Sequence, residues 1–247
     1  MPDYKHINSA SRIHALLTEA VQQPDKATWG VWADVFGVKG TDDTETAELV
    51  LERLHWLQIE LQLLRTQADG AALSKHLYDG SLSRIRSVIS PLNLPAGWQG
   101  VRGNLTPDVL LALAFLNEVL PDEESAIPAA ELQAIAKQVA ELADALKAAD
   151  LPPALRRLVE HHINLIATAL AQYRIAGARG LREAGRTALG EIIERKDELE
   201  PEKKSEVVSR LGKLWKHVNS AADAALKAEK LAQLGHRAWE AVSGLLQ

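Results

Sequence analysis

Between residues 159 and 184, apolar or small side chains return in alternating steps of four and three: Val159, Ile163, Ile166, Leu170, Tyr173, Gly177, Gly180, Ala184. The same count runs through Val207, Leu211, Leu214, Val218, Ala221, Ala225, Ala228 and Ala232, then on through Gly235, Trp239, Val242 and Leu246. A seam repeating every 3.5 residues marks helices that pack lengthwise. Between the two seams lies ERKDELEPEKKSE, a charged stretch in which Pro201 forces a turn. The spacing therefore predicts two helices of about 40 residues, each roughly 60 Å long, folded back as an antiparallel hairpin.

Inside the first seam sits YRIAGARGLREAGRTALG, with Gly177, Gly180, Gly185 and Gly190 among four arginines. A phosphate-cradling loop needs its glycines between a strand and a helix start, and no strand pattern precedes Tyr173. Antiparallel pairing about residue 200 instead sets Gly177 and Gly180 beside Ala221 and Ala225, so the two glycines are expected to pack at a close helix crossing. At 100° per residue, Arg179, Arg182 and Arg186 fall on the side opposite the seam. That side is expected to be a solvated face, with a nucleic-acid-binding ridge as the functional alternative. Lys216, Lys227 and Lys230 lie opposite the second seam in the same way.

The rest of the chain is helical in pattern as well. A helix is expected after Asn8 or Ser9, ending before Pro24. Another spans TWGVWADVF, with Trp29, Trp32 and Phe36 sharing one core-facing side. A third runs through TAELVLERLHWLQIELQLLRTQ, capped by Thr41 or Thr44. SPLNLPAGWQGVRGN is the most irregular segment, and Trp98 and Arg102 within it are candidate binding residues. TPDVLLALAFLNEVLP reads as a helix with Thr106 as N-cap and Pro107 in its first turn. PDEESAIP is the expected boundary, dividing an acidic subdomain, 1–124, from a three-helix unit, 125–247. The first helix of that unit carries Leu132, Ile135, Val139, Leu142 and Leu146 as its apolar stripe.

Charge follows a similar division. Residues 1–150 hold 12 Lys+Arg against 21 Asp+Glu, and residues 151–247 hold 16 against 12. The C-terminal excess is too small for a dedicated nucleic-acid binder. It suits attraction between the two halves, with nucleic acid as the alternative partner. The chain has no cysteine, which removes disulfide and thiolate chemistry. Its longest apolar run, VLLALAFL, is too short to span a bilayer, and the amphipathic HRAWEAVSGLLQ is expected to pack within the chain. No metal or cofactor is expected, and the expected compartment is the cytoplasm.

One segment carries chemistry. In ALRRLVEHHINL, Arg156 precedes His161 by five residues and Arg157 precedes His162 by five. This spacing resembles the Arg-x4-6-His motif of HEPN ribonucleases, which are small all-α bundles. The resemblance implies Arg156 and Arg157 as stabilisers of phosphorane charge and His161 and His162 as proton-transfer groups. The whole chain reads as an all-α helical bundle with a long antiparallel C-terminal hairpin. The expected role is non-enzymatic: a helical adaptor or regulatory subunit of a bacterial multiprotein assembly, contacting a protein partner through the hairpin and the 90–105 segment, with self-association as a further possibility. A metal-independent ribonuclease of HEPN type is the alternative, and nucleic-acid binding through the arginine face is the second.

Overall fold

The structure is a computed structural model that describes residues 6–202 and 205–226. Lys227, Lys230, the seam from Ala228 onward and HRAWEAVSGLLQ lie outside the described residues. Among those described, the chain is all-α, with eleven α-helices and no strand. It divides into two compact units, Met1–Glu123 and Glu124–Gln247.

Unit 1 contains α1 (Ser9–Val21), α2 (Thr28–Phe36), α3 (Asp43–Gly70), α4 (Asp79–Val88), α5 (Trp98–Arg102) and α6 (Pro107–Val119). Asn8 starts α1 through a capping box: its Oδ1 accepts from the Ser11 amide at 3.2 Å, and Ser11 Oγ accepts from the Asn8 amide at 3.0 Å. Asp42, rather than either threonine, caps α3 by accepting from the Glu45 amide at 2.8 Å. A carboxylate there also meets the positive end of the helix dipole. Helix α1 packs against α2, α3 and α6, and α4 packs against α3 and α6. The core between them holds Ile13 and Leu17, Leu54, Leu57 and Leu64, and Val109, Leu113 and Leu116, all with no exposed surface.

A charged cluster is buried with that core. Arg12 Nη2 donates to Glu60 Oε1 and to Glu123 Oε2, each at 2.6 Å. Burial alone would raise the Glu123 carboxyl. The Arg12 guanidinium outweighs it, aided by hydrogen bonds from Gln67 and the Ser9 amide, and holds the group below the usual carboxylate range.

Unit 2 contains α7 (Ala129–Ala148), α8 (Pro153–Ala176), α9 (Ala178–Glu194), the short α10 (Lys196–Leu199) and α11 (Glu206–Ala225). The packed pairs α7–α8, α8–α9, α9–α11 and α11–α7 close a ring, so four long helices enclose one core. Three were expected, and the difference lies at Gly177. The first long seam does not continue as one helix: α8 ends there, and α9 folds back against it. Gly177 has φ +64° and ψ −155°, a conformation open essentially to glycine alone. The side chain of Glu124, 3% exposed, fills the corner and accepts from the Ala178 amide at 2.6 Å, satisfying a donor at the start of α9. A Cβ on Gly177 would stand 2.0 Å from Glu124 Oε1.

The glycines therefore do different work from that expected. Gly177 is the corner, and Gly180 lies against Ala169 and Gln172 of α8. It is Gly185 that faces α11, where a Cβ would come within 2.2 Å of Asn219 Oδ1. Gly185 with Asn219 and Arg182 with Asp223 show α9 and α11 running antiparallel. Along α11 the expected seam is buried from Val207 to Ala225, and Trp215 joins it with no exposed surface.

Candidate interaction surface

The residues singled out for chemistry are mostly committed to the fold. Arg156 donates from Nη1 to the Leu146 carbonyl at 2.9 Å and from Nη2 to the Ala149 carbonyl at 2.6 Å. It thus ties down the C-terminal end of α7, where carbonyls lack helical partners. His162 is wholly buried. Trp215 Nε1 donates to its Nδ1 at 3.1 Å, and an indole N–H can only donate. The ring proton therefore sits on Nε2, which donates to Glu191 Oε2 at 3.0 Å. His161 Nε2 donates to the other oxygen, Glu191 Oε1, at 3.0 Å.

This Trp215–His162–Glu191–His161 chain links α11, α8 and α9. Burial pushes the His162 ring down to about 4, against the opposing pull of Glu191. The tautomer acts in the same direction, because a proton on Nδ1 would confront the Trp215 N–H. Both ring nitrogens of His162 are occupied, and its buried ring ties the core together while Arg156 caps the C-terminal end of α7. Arg157 and His161 remain exposed on α8.

The arginine face is corrected in part. Arg182 is not solvated; its side chain is 12% exposed and Nη2 meets Asp223 Oδ1 at 3.0 Å. Arg179 lies 4.0 Å from Glu183 one turn along α9, and Arg186 is exposed. A ridge of three free cations is therefore absent from this helix.

The 90–105 segment is also tied down. The Trp98 amide donates to the Lys26 carbonyl, the Thr28 amide to that of Ala96 and the Trp29 amide to that of Leu94, at 2.9, 2.9 and 3.1 Å. Trp98 itself has no exposed surface and meets the Trp32 ring edge-on at 6.2 Å. Its expected role as a contact residue is corrected, since its ring belongs to the core. Arg102 is half-buried at the end of α5.

A different surface stands out. Among the described residues eight large apolar side chains are exposed, and all but Ile193 lie in unit 1. Three of them form a row along α6 at steps of four: Leu111, 70% exposed, then Phe115 and Val119. The opposite side of the same helix buries Val109, Leu113 and Leu116. A helix apolar around its circumference belongs between two layers, and among the described residues the main packing of α6 is on its inner side, against α1 and α4. The exposed carboxylates Asp108 and Glu118 stand near its two ends. The signal was present in VLLALAFL, which lacks the polar phase that a surface helix requires. No protein-family model, curated protein or solved structure matches the chain, so its own geometry carries the reading.

Proposed function

We propose that the protein is a non-enzymatic helical adaptor or regulatory subunit, and that α6 docks an amphipathic helix of a protein partner. The observation that carries this reading is the row Leu111, Phe115, Val119 on a helix whose inner side is already packed. Side chains spaced by four form a ridge that fits the groove of a second helix. Apolar rows of this kind mark interaction sites on soluble proteins. Charge narrows the partner further: unit 1 carries 10 Lys+Arg against 16 Asp+Glu. Lysines or arginines beside the partner's apolar stripe would meet Glu118 at the rim, Asp108 being paired with Arg84 at 3.3 Å. The geometry supports this surface better than the arginine face of α9, where Arg182 already has its carboxylate.

The test is affinity purification of the full chain from its native cells, beside a Leu111→Glu, Phe115→Glu variant with unchanged circular dichroism. The expected result is a partner held stoichiometrically by the native chain and lost from the variant. Self-association in sedimentation that the variant abolishes would assign the face to a second copy. Identical recovery by both proteins contradicts the proposal.

A further inference from the structure

An open groove of about 670 Å³ runs between α3 and α4, within the size range of small-molecule sites. Helix α3 supplies Gln58, Gln62 and Arg65, spaced by four and three so that they share one side. Helix α4 supplies Ser83, Arg86 and Ser87. The turn at Pro91–Asn93 adds Asn93 and Leu92, the latter 88% exposed.

Several of these groups brace the walls. Gln58 Nε2 donates to the Ile89 carbonyl at 3.2 Å, and Asn93 Nδ2 donates to that of Ser87 at 2.7 Å. Ser83 Oγ donates to the Asp79 carbonyl at 2.8 Å, and Arg65 Nη1 donates to Asp79 Oδ1 at 2.5 Å. The side chains of Gln62, Ser87 and Arg86 have no hydrogen-bond or ion-pair partner among the described residues. Arg65 is matched by Asp79, whereas Arg86 has no carboxylate partner among the described residues.

The electrostatic contrast is local. Unit 1 has six more acidic than basic side chains, 16 against 10, yet among the described residues no carboxylate lines this groove, Asp79 reaching only Arg65 at its wall. The Arg86 guanidinium, in a groove that Gln62 and Ser87 also line, offers planar, two-pronged recognition of an oxyanion. The amide of Gln62 and the hydroxyl of Ser87 can serve an uncharged polar body attached to it.

We propose that the α3–α4 groove binds a small organic anion, its phosphate or carboxylate paired with Arg86 and its polar body hydrogen-bonded by Gln62 and Ser87. The site is independent of the α6 face, so either proposal can fail alone.

Isothermal titration of the full chain with glucose 6-phosphate, citrate and unphosphorylated glucose tests it. Saturable binding of at least one anion is expected, with none for glucose. The tighter anion identifies the head group as phosphate or carboxylate. Arg86→Gln should weaken binding at least about tenfold. Arg84→Gln, on the same helix but outside the groove, should leave it within about twofold. Arg86 is exposed, so melting curves of the variant should match the native protein. Absence of binding by both anions, binding that survives Arg86→Gln, or equal weakening by Arg84→Gln overturns the proposal.

Discussion

His162 shows how a polar residue is held in an apolar core. Its two ring nitrogens are satisfied in opposite senses, one by the Trp215 donor and one by the Glu191 acceptor, and this fixes the neutral ring. The unfolded chain, with a histidine near 6.5, binds the proton first, while the folded ring resists it down to about 4. Stability contributed by this residue is therefore fully present above about pH 6.5 and lost as pH falls toward 4, by about 3 kcal/mol in all. An NMR titration should show the His162 ring still neutral at pH 6; a midpoint near 6.5 would contradict the hydrogen-bond assignment. Arg12 presents the converse case. Arg12→Leu removes the guanidinium that Glu60 and Glu123 share, and should cost about 3–5 kcal/mol in denaturant unfolding. The doublets ALRRLVEHHINL were legible as a cluster but not as a core tie. Nothing local to that segment reveals that Trp215, more than fifty residues away, supplies the donor.

At the level of the element, the seam located the helices but missed two breaks in the expected helices of about 40 residues, one at Gly177 and one at Leu226, where α11 ends in extended backbone after 20 residues. Gly177 occupies a seam position, and heptad counting treats it as one more small residue in a continuous helix. What turns the chain is its glycine-only conformation together with Glu124, and a contact 53 positions distant leaves no mark on the period. Two substitutions separate the two roles of glycine. Gly177→Ala meets both positive φ and the Glu124 carboxylate, and should destabilise by about 2–4 kcal/mol. Gly190→Ala enters open space in the interior of α9, and should stabilise by about 0.5–1 kcal/mol. Thermal melts of both variants check this; equal effects would contradict the assignment of Gly177 as the corner. The seam of α11 was legible throughout its described length, because each of its residues meets partners at regular helical spacing. The exposed row of α6 was legible only as an apolar run, since the sequence does not say how many sides of a helix find a neighbour.

For the whole molecule, the two units differ in kind. Unit 2 closes a ring of four long helices and leaves one large apolar side chain, Ile193, exposed among its described residues. Unit 1 leaves seven exposed and carries the acidic excess of the chain. Its own core and its buried Arg12 cluster predict that residues 1–123 expressed alone are helical and melt cooperatively. A featureless melt would show that this unit does not fold by itself. The proposed docking helix is α6. Site-specific photocrosslinking in native cells checks this, with a benzophenone amino acid at Leu111 and, separately, at the exposed Lys137 of α7. A discrete crosslinked protein from position 111 and none from position 137 is the predicted result. Crosslinks that are absent at 111, or the same at both positions, would contradict it.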